Sequence, residues 1–207
     1  VNVNPLYTAR ELEHQMKDSG AKAIIIIENF AATLQQCIAS TQIKHVVLAS
    51  MGDRLGGLKG MLVNFVVRKV KKLVPPFSLP GAVRYNDAIA KGRGASFKKP
   101  EIGPDDVAVL QYTGGTTGVA KGAVLLHRNL IANVLQSEAW NEPVMKQIPA
   151  GQQSTSVCAL PLYHIFAFTV NMMLGMRTGG KVILIPNPRD LPAVLKELSK
   201  HTFHSFP

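Results

Sequence analysis

The sequence predicts an α/β fold of partly parallel sheets flanked by helices. Three observations carry that prediction. Two short apolar runs, Ala23–Ile27 and His45–Ala49, read as buried strands. A helical segment precedes each, and this αβαβ rhythm implies parallel strands covered by helices. Finally, 46% of the 207 residues are apolar and 17% are charged, enough to build a core and too apolar for a disordered tail or low-complexity linker. The length admits one large domain, and no internal repeat argues for a solenoid.

Each element has its own signal. Thr8-Ala9-Arg10-Glu11 is a capping box, so a helix opens there and ends near Gly20. The strand at 23–27, a helix over about 31–39 and the strand at 45–49 follow. Leu58, Met61, Leu62, Phe65, Val66, Val70, Leu73 and Val74 then form one helical stripe. Asn64, Arg68, Lys71 and Lys72 lie opposite, and Pro75-Pro76 should stop the helix. The polar stretch 91–104 reads as a linker or loop. Residues 107–112 and 123–126 read as strands, and 127–140 as a helix. A strand at 156–160 ends at Pro161, an apolar helix over 163–176 is closed by Gly179-Gly180, and 181–185 is a further strand. Asp190 caps a last helix running to about Lys200, with Pro192 in its first turn. The chain divides into an α/β segment at 1–52, a basic amphipathic insert and linker at 53–104, and a segment at 105–207 that carries a loop of glycines and threonines.

Charge is localised. The net charge is +10, and residues 54–99 hold eleven Lys or Arg against a single acid, Asp87. The rest of the chain is neutral, so this is a neutral globule with one basic insert. A nucleic-acid reading surface interleaves aromatic rings with its charge; only Phe65 and Phe77 lie near the densest charge here, so no nucleic-acid partner is expected. Cys37 and Cys158 show neither a CxxC nor a zinc-ligand spacing, and so few cysteines fit a reducing cytosol. The N-terminus has no signal-peptide pattern. The longest apolar stretch, 163–176, is interrupted by His164 and Asn171 and is shorter than the roughly 20 residues a bilayer requires. The abrupt opening at Val1 and closing at Pro207 read as an excerpt from a longer protein; a complete small domain is the alternative.

The chemistry sits in Tyr112-Thr113-Gly114-Gly115-Thr116-Thr117-Gly118-Val119-Ala120-Lys121-Gly122, directly after a strand. Glycines let successive N–H groups face one concavity, and such nests bind anions. Threonine hydroxyls add donors and can ligate a metal ion, and a lysine adds a mobile positive charge for a polyphosphate. This is not a Walker A loop, because Lys121 follows Ala120 and precedes Gly122, and a strand rather than a helix comes next. A Gly-rich hairpin turn is the bland reading, but such turns rarely combine three threonines with a lysine.

Those eleven residues resemble the AMP-binding signature of the adenylate-forming superfamily, which includes acyl-CoA synthetases, luciferases and peptide-synthetase adenylation domains. Three further segments resemble the branch of bacterial long-chain fatty acid–CoA ligases: Asn4-Pro5-Leu6-Tyr7-Thr8 with Glu11-Leu12-Glu13-His14, Val63-Asn64-Phe65-Val66-Val67, and Leu160-Pro161-Leu162-Tyr163-His164-Ile165-Phe166. The resemblance spans the whole chain. It implies ATP-dependent activation of a fatty acid to an acyl-adenylate, then transfer to coenzyme A, with Mg2+ assisting. By the same resemblance Tyr112, Thr113, Gly114, Gly115, Thr116, Thr117, Gly118 and Lys121 bind ATP phosphates. Lys121, Thr116 and His164 are the expected catalytic residues, and Thr116 the expected metal ligand. Tyr163, His164 and Phe166 are expected near the acyl substrate. Ala120 replaces a proline common in the superfamily. The superfamily's downstream motifs for magnesium, ribose and the hinge, and its C-terminal lysine, do not occur in these 207 residues. The chain is therefore expected to be a piece of the large N-terminal domain, without the C-terminal lid domain and inactive alone.

Several alternatives stay open. The full enzyme could activate an aryl or amino acid, or the chain could be a non-catalytic membrane-surface module. His164 in an apolar segment could be a core or helix-start histidine. Tyr163, Ile165, Phe166 and Phe168 could wall an acyl tunnel or be ordinary core. The basic insert at 54–74 could lie on an anionic membrane at the inner face of the cell, or pack on its own core with its charges in water.

Overall fold

The computed structural model describes residues 1–113 and 119–207. The chain folds into two units. One holds 3–101 and 112–122; the other holds 102–111 and 123–207.

The first unit is built on a parallel three-stranded sheet, β1 (Ala23–Ile27), β2 (His45–Ala49) and β3 (Val83–Arg84), in that order. Helix α1 (Ala9–Ser19) starts from the expected capping box: Thr8 Oγ1 accepts from the Glu11 amide, and Glu11 Oε2 accepts from the Thr8 amide at 2.8 Å. Gly20, left-handed at φ 61°, closes it. Helix α2 (Ala31–Cys37) follows β1. Leu12 and Met16 of α1, Ala31, Leu34 and Cys37 of α2, and Ile24, Val46 and Leu48 of the strands form the core.

The expectation that β1 is fully buried is corrected. Ile24 and Ile26 belong to the core side, whereas Ile25 is 69% exposed. Strand side chains alternate between faces, and four consecutive isoleucines conceal that period from the sequence. A β3 strand and helix α4 (Tyr85–Arg93) were not anticipated; α4 claims the start of the stretch read as a linker.

The amphipathic helix also differs from its forecast. Helix α3 (Gly57–Phe65) passes into one π-helical segment, Val66–Val70, and ends before the prolines, at Lys72 with its backbone in the left-handed region (φ 49°). Its apolar stripe faces outward: Leu58, Met61, Leu62, Phe65, Val70 and Leu73 are all exposed. Asn64 and Arg68 face inward instead. Asn64 Oδ1 accepts from the Gly52 amide at 2.7 Å, and Arg68 reaches Glu28. Gly52 and Gly60 meet backbone to backbone, so a Cβ on either would overlap the other's carbonyl. The reading in which this stripe packs on its own core is corrected by that exposure, whereas Lys69, Lys71 and Lys72 are exposed as that reading has them and Arg68 is partly so. One buried carboxylate and a Gly–Gly contact outweigh the apolar moment.

In the second unit, β4 (Val107–Thr113) pairs with β5 (Lys121–Leu126), the tips of both strands being grouped with the first unit. Helix α5 (His127–Met145) runs beyond the expected end at Trp140 and contains Pro143. In a last turn the missing amide costs one hydrogen bond, so the helix tolerates the proline. Strands β6 (Thr155–Cys158) and β7 (Lys181–Leu184) are parallel, and Ser205 adds a parallel bridge to Ser156. A helical segment opens after His164, passes through a π-helical stretch (Ala167–Met173) into α6 (Leu174–Thr178), and closes at left-handed Gly179. Asp190 Oδ1 caps α7 (Leu191–Leu198) by accepting from Ala193 N at 3.2 Å. Val157, Ile183, Ile185 and Val194 form this unit's core.

Candidate phosphate-binding site

The glycine–threonine loop is carried between β4 and β5. Gly114, Gly115, Thr116, Thr117 and Gly118 lie outside the described residues, so the loop's ends define the geometry. On the β4 side, Thr113 is exposed and Tyr112 is buried. On the β5 side, Lys121 is the exposed first residue of the strand, with no buried carboxylate to neutralise it. Thr113 and Lys121 are thus both exposed at the two ends of the loop.

Both ends are tied to α1. The Tyr112 hydroxyl donates to the Asp18 carboxylate, and the ring lies against Gly122, where an added Cβ would sit 3.0 Å from ring carbons. Burial, reinforced by the neighbouring Asp18, pushes the Tyr112 phenol well above its ordinary range, so it stays a neutral donor. On the far side of the loop, His14 Nε2 lies 2.9 Å from the Ala120 carbonyl oxygen. A carbonyl only accepts, so Nε2 carries the proton. His14 and Asp18 are one helical turn apart. Sequence reasoning missed both as site residues; the available signal was two polar residues at i, i+4 beside the core positions Leu12 and Met16.

Tyr163, His164 and Phe166 belong to the second unit. His164 is exposed at the start of the helical segment, and its Nδ1 accepts from the Phe166 amide at 3.3 Å. That is the helix-start geometry, and it leaves Nδ1 without a proton. The Tyr163 carbonyl accepts from Gln111 Nε2 at 3.3 Å, anchoring the turn to β4. Phe166 is 42% exposed. A cavity of about 610 Å³ in this unit borders Val170, Asn171 and Leu174 further along the same helix, together with Glu138 and Met145 of α5, and none of the three acyl-site candidates lines it.

Among the described residues no three His, Cys, Asp or Glu side chains cluster as a metal site. Cys37 and Cys158 are free and buried, and burial pushes both thiols up, away from reactive thiolates. No helix of the described residues is long and apolar enough to cross a membrane.

Comparison with known proteins agrees with this arrangement. The family model described as AMP-binding enzyme matches residues 1–207. A long-chain-fatty-acid–CoA ligase of Yersinia pestis is 53% identical over 203 residues, 98% of this chain and 35% of that protein. One of Haemophilus influenzae is 51% identical over 205 residues, covering 99% and 36%. The chain therefore spans about a third of the length of the curated relatives it matches. Among solved structures, an anthranilate CoA ligase in complex with anthranoyl-AMP superposes with a TM-score of 0.71 at 17% identity, over 99% of this chain and 34% of that one, a likeness of fold. With the family model matched over residues 1–207, the chain belongs to the AMP-binding enzyme family.

Proposed function

We propose that the full-length protein is a long-chain fatty acid–CoA ligase, that this chain supplies its phosphate loop, and that the chain alone turns over negligibly. The observation that carries the proposal is the 53% identity to a long-chain-fatty-acid–CoA ligase over nearly the whole chain. In the first step a fatty carboxylate oxygen attacks the α-phosphorus of ATP, forming the acyl–phosphate bond and releasing pyrophosphate. In the second, the coenzyme A thiol attacks the acyl carbon, and AMP leaves.

The chain's residues have distinct tasks in the first step. Charge grows on the departing pyrophosphate, and fixed donors aimed there lower the barrier. Backbone amides and hydroxyls from Thr113 to Gly118 supply those donors, with Thr116 as the central hydroxyl, and exposed Lys121 supplies a cation. Tyr112 acts from behind the loop, because its hydroxyl is engaged by Asp18. His164, with Nδ1 already accepting a hydrogen bond, presents Nε2–H to the fatty carboxylate and aligns it for attack. Tyr163 and Phe166 flank the acyl chain. Mg2+ would supply further charge neutralisation on the phosphates. Thr116 is the ligand this chain offers; the described residues do not complete a site, and no step is assigned to the ion.

We also infer cytoplasmic work at a membrane surface. The outward stripe of Leu58, Met61, Leu62 and Phe65 beside Lys69, Lys71 and Lys72 is the observation that favours contact with anionic lipid. Free cysteines favour the reducing cytosol.

Fatty-acid-dependent ATP–pyrophosphate exchange by the full-length protein tests the main proposal. Exchange with long-chain acids, and not with amino or aryl acids, is expected. Exchange driven by aryl or amino acids would move the enzyme to another branch, and none with any carboxylate would leave the membrane-surface module.

A further inference from the structure

We propose that His14 and Asp18 of α1 are positioning residues for the nucleotide phosphates, clamping the phosphate loop at both ends. The inference rests on the reading of that loop as the ATP site.

Tyr112 immediately precedes the loop and Ala120 follows it, within one unit of the fold. Asp18 accepts the Tyr112 hydroxyl on the first side; His14 Nε2–H donates to the Ala120 carbonyl at 2.9 Å on the second. These contacts link residues 94 and 106 positions apart, so neither is local turn geometry. The acceptor Asp18 and the donor His14 come from one helix, one turn apart. That helix is itself fixed by its capping box, by left-handed Gly20, and by Leu12 and Met16, which are almost wholly buried. The spacing between the loop's two ends is therefore set by a rigid ruler.

The Tyr112 ring completes the clamp. It lies close enough to Gly122 that a Cβ there would meet its carbons at 3.0 Å. A glycine as the second residue of β5 thus leaves room for the ring that reaches Asp18. Fixing a binding segment around a triphosphate costs conformational entropy. Holding both ends before the ligand arrives removes part of that cost, which is preorganisation in the sense that raises affinity without adding a ligand contact. His14 and Asp18 touch no substrate in this scheme. Their effect is confined to ATP and pyrophosphate, because the fatty acid is held by other residues.

The test is pyrophosphate exchange by the full-length protein, with KM measured separately for ATP and for a long-chain fatty acid. Asp18→Ala, Tyr112→Phe and His14→Ala should each raise the ATP KM by about tenfold, the size of a lost charge-assisted or buried hydrogen bond. The fatty acid KM should stay within about twofold, since sites that share no partner behave independently. The Asp18→Ala/Tyr112→Phe double variant should be no worse than either single one. Asp18→Asn, which keeps an accepting oxygen, and His14→Gln, which keeps an Nε2 donor, should recover most of the loss. Tyr112→Phe removes a single oxygen and keeps the test open should Asp18→Ala not fold. Unchanged ATP KM in the variants, equal rises in both KM values, or conservative variants as damaged as the alanines overturn the clamp. Thr116→Ala separates the two ideas: a rise in ATP KM there with silent His14 and Asp18 variants sinks the clamp alone, whereas a silent Thr116→Ala sinks the loop reading and the clamp with it.

Discussion

Arg68 grips Glu28 with both arms of its guanidinium, Nε to Oε1 at 2.8 Å and Nη2 to Oε2 at 2.9 Å. Nη2 also donates to Ser50 Oγ at 2.9 Å, and Arg84 Nη1 donates to Glu28 Oε2 at 3.0 Å. The carboxylate at the end of β1 is 2% exposed. One residue of the π-helical segment is thereby latched to the end of the sheet, and the apolar stripe beside it faces out.

Glu28→Gln is the first prediction. Burial alone raises the Glu28 carboxyl, but the hydrogen bonds and charge of Arg68 and Arg84 outweigh it and hold the group below the usual carboxylate range. A depressed carboxyl contributes stability that is present above its unfolded pKa of about 4.3 and is lost as pH falls through the lower folded value. Both arginines are partly in water, so the loss in Glu28→Gln should be about 1–3 kcal/mol rather than the larger cost of breaking a fully buried pair. Thermal denaturation of the full-length protein should show a gap between wild type and variant that is constant from neutral pH down to about 5 and closes below about 4. A gap that widens on acidification would contradict the assignment.

The Gly52–Gly60 contact makes a sharper steric prediction. Gly60→Ala drives a methyl into the Gly52 carbonyl, and the backbone cannot yield as a flexible side chain could. The cost should be about 1–3 kcal/mol, typical of overpacking. Gly57→Ala, in the same helix with open space around it, should be neutral or slightly stabilising. Equal Tm values for the two variants would show that the contact does not hold the helix down.

Much of this fold was legible in the sequence where local chemistry decides the outcome. The Thr8–Glu11 capping box, the Asp190 cap, and both strands of the first parallel pair fell where their residue types put them. What the sequence hid was decided at long range. Arg68 reads as a solvent-facing charge until Glu28, forty positions earlier, is brought beneath it. His14 and Asp18 read as ordinary helix surface until Ala120 and Tyr112, on either side of the glycine–threonine loop, arrive beside them. Helix α4 was missed because a stretch rich in Lys, Arg and Gly carries no clear apolar period. The run of glycines and threonines with one lysine located the loop itself, but hydrophobic patterning could not say what holds its ends.

The outward stripe yields a third prediction, on lipid. Full-length protein should sediment with vesicles containing anionic phospholipid, not with neutral vesicles, and salt should release it, since each Lys or Arg near the surface contributes about 1 kcal/mol that is screened within a Debye length. Leu62→Ser/Phe65→Ser should abolish sedimentation with little change in Tm, because both side chains are already exposed. Retained sedimentation in that double variant would remove this helix from any membrane role.

Lys121→Ala should lower the exchange rate by about 10²-fold or more, the order found when one fixed donor to a developing oxyanion is removed. The effect should fall on the maximal rate more than on the fatty acid KM. Lys121 is exposed at the start of β5, so its loss should leave Tm nearly unchanged. A variant with wild-type exchange would remove Lys121 from the chemistry.

His164 provides the last prediction, and it opposes that for His14. Its Nδ1 accepts the Phe166 amide and so caps the helical segment; only Nε2–H is left to meet a carboxylate. Two functions share one ring, and two substitutions part them. His164→Asn should restore a short side-chain acceptor near the Phe166 amide, keeping most of the roughly 1 kcal/mol a cap contributes, while withdrawing the donor from the acyl side. His164→Ala removes both. If His164 aligns the fatty carboxylate, the two variants share a raised fatty acid KM with an unchanged ATP KM, and only His164→Ala also loses Tm. If the residue is no more than a cap, His164→Asn behaves as wild type in both KM values. If His14 acts on ATP and His164 on the fatty acid, combining His14→Ala with His164→Asn should give additive losses, each confined to its own substrate.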